Sequence, residues 1–106
     1  MVIYMLFKYK NIDFDINEDE ITEKEAKELG DEISIAMKES DVNIFEVNLE
    51  DSTFGCVFIE KQGKYDEWDA QTINFVRILE NNTDLSVMYA DEDYGENLDV
   101  ILIHNE

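Results

Sequence analysis

The side chains able to do covalent or metal chemistry in this chain are few in kind. There is one cysteine, Cys56, and one histidine, His104, against 27 aspartates and glutamates. A Cys–His nucleophile needs the imidazole within hydrogen-bond reach of the thiol. Cys56 lies in the run Phe54-Gly55-Cys56-Val57-Phe58-Ile59, where a free thiol ordinarily behaves as a small buried hydrophobe. A single Cys and a single His are too few for a structural zinc centre built on such ligands. Asp91-Glu92-Asp93-Tyr94-Gly95-Glu96 has the look of a calcium loop, but an EF-hand needs Gly at position 6 and Glu at position 12. Counted from Asp91, Gly95 stands at position 5 and position 12 is Leu102, in a segment that reads as a strand. Paired-carboxylate hydrolysis needs two carboxyls at a defined separation across a cleft, and carboxylates this abundant form pairs everywhere. The expectation is a protein that is not an enzyme, with no cofactor and no metal.

The carboxylates carry information through their excess. Eight basic residues leave a formal net charge of −19 and a pI near 4.1. That sign opposes binding to a phosphate backbone and to anionic membranes, so direct nucleic-acid and membrane partners are not expected. With 44% hydrophobic and 11% aromatic residues, the composition is that of a folded chain rather than an acidic disordered tail. Its length fits one domain, residues 1–106, whose modest core must outweigh considerable self-repulsion. One cysteine rules out an internal disulfide. The opening apolar run is too short to span a bilayer and lacks a basic leader, which points to a reducing cytosol.

The elements that must position these groups can be read from periodicity. Residues 2–9 read as a strand, Lys10-Asn11 as a turn, and Ile12, Phe14 and Ile16 alternate with Asp13 and Asp15 as a second strand. With its charged outer side, 12–16 is a candidate exposed edge, and so bears on a possible homodimer. Thr22 and Glu25 form a capping box, with Ile21 as the outer half of a hydrophobic staple. Ala26, Leu29, Ile33, Ala36 and Met37 then keep helical spacing to about Ser40. Residues 42–49 and 54–60 read as strands. A second helix starts with Asp66 as N-cap and buries Trp68, Phe75, Val76 and Leu79, widened by Ile73 and Ile78. Strands at 85–90 and 98–104 complete an order ββ-αββ-αββ. The expected fold is α+β, a mostly antiparallel sheet with two helices and a candidate duplication of an αββ unit.

On the first helix, Glu25, Glu28, Glu32 and Glu39 fall within about 60° of one another at 100° per residue, a row about 21 Å long. Lys24, Lys27 and Lys38 share a neighbouring strip. Ile35 is an apolar residue on the polar side, of the kind that anchors interfaces within a polar rim. Asp66, Glu67 and Asp69 crown the second helix, and Asp91, Glu92, Asp93, Tyr94 and Glu96 fill the last strand connection, with Tyr94 at its tip. A rigid acidic surface of this kind can present charge at a density comparable to that of duplex DNA, which carries one charge per roughly 1.7 Å of axis. Its natural target is a protein with a basic groove.

In composition and size the chain is similar in kind to the small acidic DNA-mimic inhibitors of bacteriophages and mobile elements. These include anti-CRISPR, anti-restriction and uracil-DNA glycosylase inhibitor proteins. The likeness covers the whole chain but rests on no shared motif, so no functional residue is carried over from it, and those groups share no single fold. It implies a stoichiometric inhibitor of a nuclease, glycosylase or CRISPR or restriction effector, acting in the host bacterial cytosol. A competing reading is an immunity protein or antitoxin that neutralises a basic toxin, and a third is a non-catalytic phage or plasmid accessory module.

Overall fold

A computed structural model of the chain describes residues 3–60, 65–89 and 98–105. The elements are β1 (Tyr4–Tyr9), β2 (Ile12–Asn17), α1 (Glu23–Ser40), β3 (Asn43–Leu49), β4 (Phe54–Glu60), α2 (Tyr65–Asn82), β5 (Leu85–Tyr89) and β6 (Leu98–Asn105). They build one six-stranded sheet in the order β1-β2-β3-β4-β6-β5. Every neighbouring pair is antiparallel except β2–β3. The architecture is α+β in the order ββ-αββ-αββ, as the periodicity predicts.

Local chemistry explains each junction. Lys10 and Asn11 both take positive φ, 51° and 63°, so Tyr9 and Ile12 pair across a two-residue turn whose twist matches the strands it joins. The Thr22–Glu25 capping box forms: the Glu25 N–H donates to Thr22 Oγ1 at 3.1 Å and the Thr22 N–H to Glu25 Oε1 at 3.2 Å. Asp41 closes α1 in the left-handed region, at φ 57° and ψ 39°. The α1 crossover returns the chain beside β2 in the same direction, which is why this one pair is parallel.

One face of the sheet holds the core. Ile12, Phe14, Ile16, Val47, Leu49, Val57, Ile59, Ile101 and Ile103 pack there with Ala26, Ile33 and Ala36 of α1 and Phe75, Val76 and Leu79 of α2. Gly30 lets α1 sit low over the first hairpin, since a Cβ there would lie 2.9 Å from Cζ of Phe14 and 3.1 Å from Cδ2 of Tyr9. The opposite face carries no helix among the described residues, although Val100, the partner of Phe58 on it, is buried. It carries Leu6 and Lys8 of β1, Asp13 and Asp15 of β2, Glu46 and Asn48 of β3, Cys56 and Phe58 of β4, and Leu102 and His104 of β6. A bulge between Ile44 and Glu46 switches the phase of β3, so that Ile44 and then Val47 and Leu49 point into the core while Glu46 turns out. The run β3-β4-β6-β5, with an antiparallel β4–β6 pair at its centre, orders the strands of the two αββ units outward from that pair. A duplicated unit would take this arrangement.

Several sequence expectations change. The first strand begins at Tyr4, with Ile3 before it outside the strand and residue 2 outside the described residues. The second helix begins at Tyr65, so Asp66 lies in its first turn and is not the N-cap. Ile73 is 51% exposed, because it lies about 110° around the helix from the centre of the buried stripe Thr72, Phe75, Val76 and Leu79. The strand at 12–16 is not an edge, since β2 is paired on both sides and β1 is the outer strand. Among the described residues no helix is long and apolar enough to cross a membrane.

Candidate functional site

Packing of Ala26, Gly30, Ile33 and Ala36 against the sheet fixes the rotation of α1 and turns its acidic row outward. Glu25, Glu28 and Glu39 are exposed, Glu32 is half-buried, and Ile35 is 46% exposed among them. The structure thus brings together the five α1 residues that the sequence singles out. Asp66 and Glu67 lie in the first turn of α2 and Asp69 just beyond it, their side chains outside the described residues. Asp91, Glu92, Asp93, Tyr94 and Glu96 lie outside the described residues altogether.

Three of the described cations are engaged elsewhere. Among the described residues the ion pairs are Lys8–Asp13 at 3.6 Å, Lys10–Asp31 at 2.8 Å and Lys27–Glu23 at 3.2 Å. Asp31 also accepts the Tyr9 hydroxyl at 2.8 Å. The Lys10 ammonium, then the Tyr9 hydroxyl, hold its carboxyl below the ordinary range. These contacts tie α1 to the β1–β2 turn, and the Lys10 and Lys27 ammonium groups lie 5.7 Å and 5.5 Å from the Tyr9 ring centroid. None of them neutralises Glu28, Glu32 or Glu39. Glu25 is half-committed to its capping box, whereas the other three are free to meet a partner's cations.

At the N-terminal end of the row lies a cavity of about 240 Å³. Glu25, Glu28 and Asp51 stand among its walls, with Ile21, Leu29 and Leu85 supplying apolar surface. Asp51 is fixed by accepting the Thr53 hydroxyl and the Thr53 N–H, each at 2.7 Å, and those bonds hold its carboxyl below the ordinary range. Carboxylates beside an apolar wall complement a side chain with an apolar stem and a cationic head. Asp51 was not singled out as a contact residue from the sequence, although Asp51-Ser52-Thr53 carries the side-chain-to-backbone signature of a tight turn.

A second acidic group occupies the open sheet face. Glu46 stands beside Asp13 and Asp15, and its carboxyl is pushed up first by burial and then by those two charges. Asp15 and Asn48 are register partners on β2 and β3, and each has a buried side-chain Oδ1 with no hydrogen-bond donor.

Nucleophilic chemistry finds no support in this geometry. Cys56 is paired with Leu102, and His104 with Phe54, so thiol and imidazole are diagonal neighbours, a relation that sets residues about 7–8 Å apart. Burial, reinforced by the Glu50 charge, pushes the Cys56 thiol up, away from the reactive thiolate. Among the described residues no three His, Cys, Asp or Glu side chains form a group that could hold a metal ion.

No protein-family model matches the chain, and neither a curated protein nor a solved structure matches it.

Proposed function

We propose that this protein is a non-catalytic, stoichiometric inhibitor that occupies the basic nucleic-acid groove of a target enzyme in the bacterial cytosol. The target class is a nuclease, a DNA glycosylase, or a CRISPR or restriction effector. The observation that carries the reading is the outward-facing α1 row, in which the exposed Glu28 and Glu39 and the half-buried Glu32 have no ion-pair partner among the described residues. Held on a packed helix, these carboxylates stand in for phosphates without the entropy cost of ordering a flexible polyanion. The net charge of −19 steers association with a cationic groove. Ile35 supplies an apolar anchor inside the charged rim.

The experiment is capture of partners from bacterial lysate by the tagged protein, with and without excess duplex DNA. The reading expects a basic nucleic-acid enzyme that DNA displaces. It also expects the triple variant Glu28→Gln, Glu32→Gln, Glu39→Gln to bind that enzyme at least about tenfold more weakly, a loss of about 1.4 kcal/mol. A partner that DNA fails to displace transfers the case to an immunity protein or antitoxin facing a basic toxin. No partner at modest salt reduces the acidic row to a solvated surface.

A further inference from the structure

The outer edge of β1 is free of carboxylates. No aspartate or glutamate occurs in residues 1–10, although the chain holds 27, and this stretch contains Lys8 and Lys10. The strand itself, Tyr-Met-Leu-Phe-Lys-Tyr, contains no proline. Its register with β2 runs unbroken from Tyr4↔Asn17 to Tyr9↔Ile12, so no bulge twists the edge away. Proline, bulges and inward-pointing charges are the usual means of blunting an edge against pairing, and here Lys8 alone is charged. Leu6 projects from the middle of the strand 73% exposed, with Tyr4 51% exposed beside it.

The turn geometry settles which backbone groups face outward. Across a two-residue turn the flanking residues, Tyr9 and Ile12, form a hydrogen-bonded pair, and alternate residues follow suit. Tyr9, Phe7 and Met5 therefore direct their N–H and C=O groups to β2. The same alternation continues at Ile3, whose carbonyl accepts the Glu18 N–H at 3.0 Å. Tyr4, Leu6 and Lys8 direct theirs away from the sheet.

We propose that two copies of the chain pair antiparallel through these β1 edges, centred on Leu6, so that one sheet runs through both. Residues facing each other across an antiparallel pair must share a sheet face, which restricts the register. Pairing Leu6 with Leu6, and Tyr4 with Lys8 of the second copy, meets that condition and joins all the outward N–H and C=O groups of Tyr4, Leu6 and Lys8. A register shifted by two residues either way leaves some of them unpaired. On the open face the two exposed leucines cover each other. Lys8 of the second copy, which gives up its exposed pair with Asp13 of its own chain, comes against the Tyr4 ring, whose hydroxyl donates to Glu50 at 3.4 Å, so the cation meets an aromatic face and a carboxylate together. A second copy is the occupant because this edge carries lysine and no carboxylate, so two chains of net charge −19 can meet along it without setting acid against acid, whereas β5, the other outer strand, is directly preceded by Asp84.

An edge-to-edge contact falls short of the roughly 1,200 Å² of a stable interface, so the dimer should be weak. The test is sedimentation velocity over a range of protein concentrations at about 0.05 M and about 0.5 M salt. Dimer should accumulate with concentration and more strongly at high salt, as screening relieves repulsion. This is opposite in sign to the salt dependence of binding a basic target, so the two interactions are separable. Leu6→Pro removes one outward N–H while leaving the β1–β2 ladder intact, and Leu6→Lys sets like charges opposite each other. Both should be monomeric with an unchanged far-UV spectrum, and Leu6→Lys carries the test if the proline variant fails to fold. Met88→Lys, on the other outer strand, should dimerise like the parent chain. A chain that stays monomeric at the highest concentration and salt overturns the proposal. So does a dimer that survives Leu6→Lys or is lost in Met88→Lys.

Discussion

Glu46 shows how one residue's charge is set by backbone phase. Its carboxyl faces the open side of the sheet, where burial and the neighbouring Asp15 and Asp13 raise its proton affinity. Folding therefore favours the protonated form. The stabilisation this gives is complete below the unfolded pKa and is lost as pH rises through the higher folded one. At neutral pH the charged group is a burden, and Glu46→Gln should stabilise the protein. The gain expected for removing a like-charge neighbour on a half-solvated sheet face is about 0.2–1 kcal/mol. Urea unfolding at pH 7 and at about pH 4 checks it, because the advantage of the variant should shrink as Glu46 takes up its proton. A gap of the same size at both pH values would assign the effect to packing. Asp31 and Asp51 have the opposite sign, since their carboxyls are held below the ordinary range and their contributions fade on acidification. The outward turn of Glu46 is written in the sequence only as a change of phase. The apolar positions Val42 and Ile44 are even-numbered and Val47 and Leu49 odd, a change of phase that only a bulge reconciles with one buried face.

At the scale of elements, α1 was legible because its signals are local. The capping box, the buried stripe and the acidic row all lie within a few turns of one another, and the structure brings them together as the spacing requires. What was not legible depends on long-range pairing. Alternation along 12–16 reports which face each residue takes and is silent about what lies beside the strand, so the outward Asp13 and Asp15 gave β2 the look of an edge. The α1 crossover instead lays β3 next to β2 and leaves the uncharged-looking β1 outside. Helix ends have their own chemistry. Asp41 adopts φ 57° and ψ 39° as the C-cap of α1, a conformation that glycine takes without a Cβ penalty. Its carboxylate also sits at the negative end of the helix dipole. Asp41→Gly should therefore raise stability by about 0.5–1 kcal/mol in thermal or urea unfolding. A loss of stability would mean that the Asp41 side chain makes a contribution larger than the strain it accompanies.

For the molecule as a whole, fold and charge pull against each other. The hydrophobic face of the sheet and the two helices are sufficient to close one core, yet the 27 acidic residues face only 8 basic ones. The ion pairs among the described residues are exposed, where such pairs are worth at most about 1 kcal/mol each. The excess charge is thus opposed by burial, and screening should reveal it. Raising salt from about 0.02 M to about 0.5 M shortens the Debye length from tens of ångströms to a few. A gain of about 1 kcal/mol would raise the melting temperature by roughly 4–8 °C for a domain of this size class. A calorimetric series in sodium chloride makes the measurement, and a flat response would mean that the carboxylates are too dispersed to repel one another appreciably. Stability and β1 self-pairing should both strengthen with salt, because each is opposed by like charge. Capture of a basic target should weaken, because it is driven by unlike charge. A surface that merely keeps the protein soluble would show the first response without the third, so the sign of the salt effect on partner binding separates an acidic surface that recognises from one that only repels.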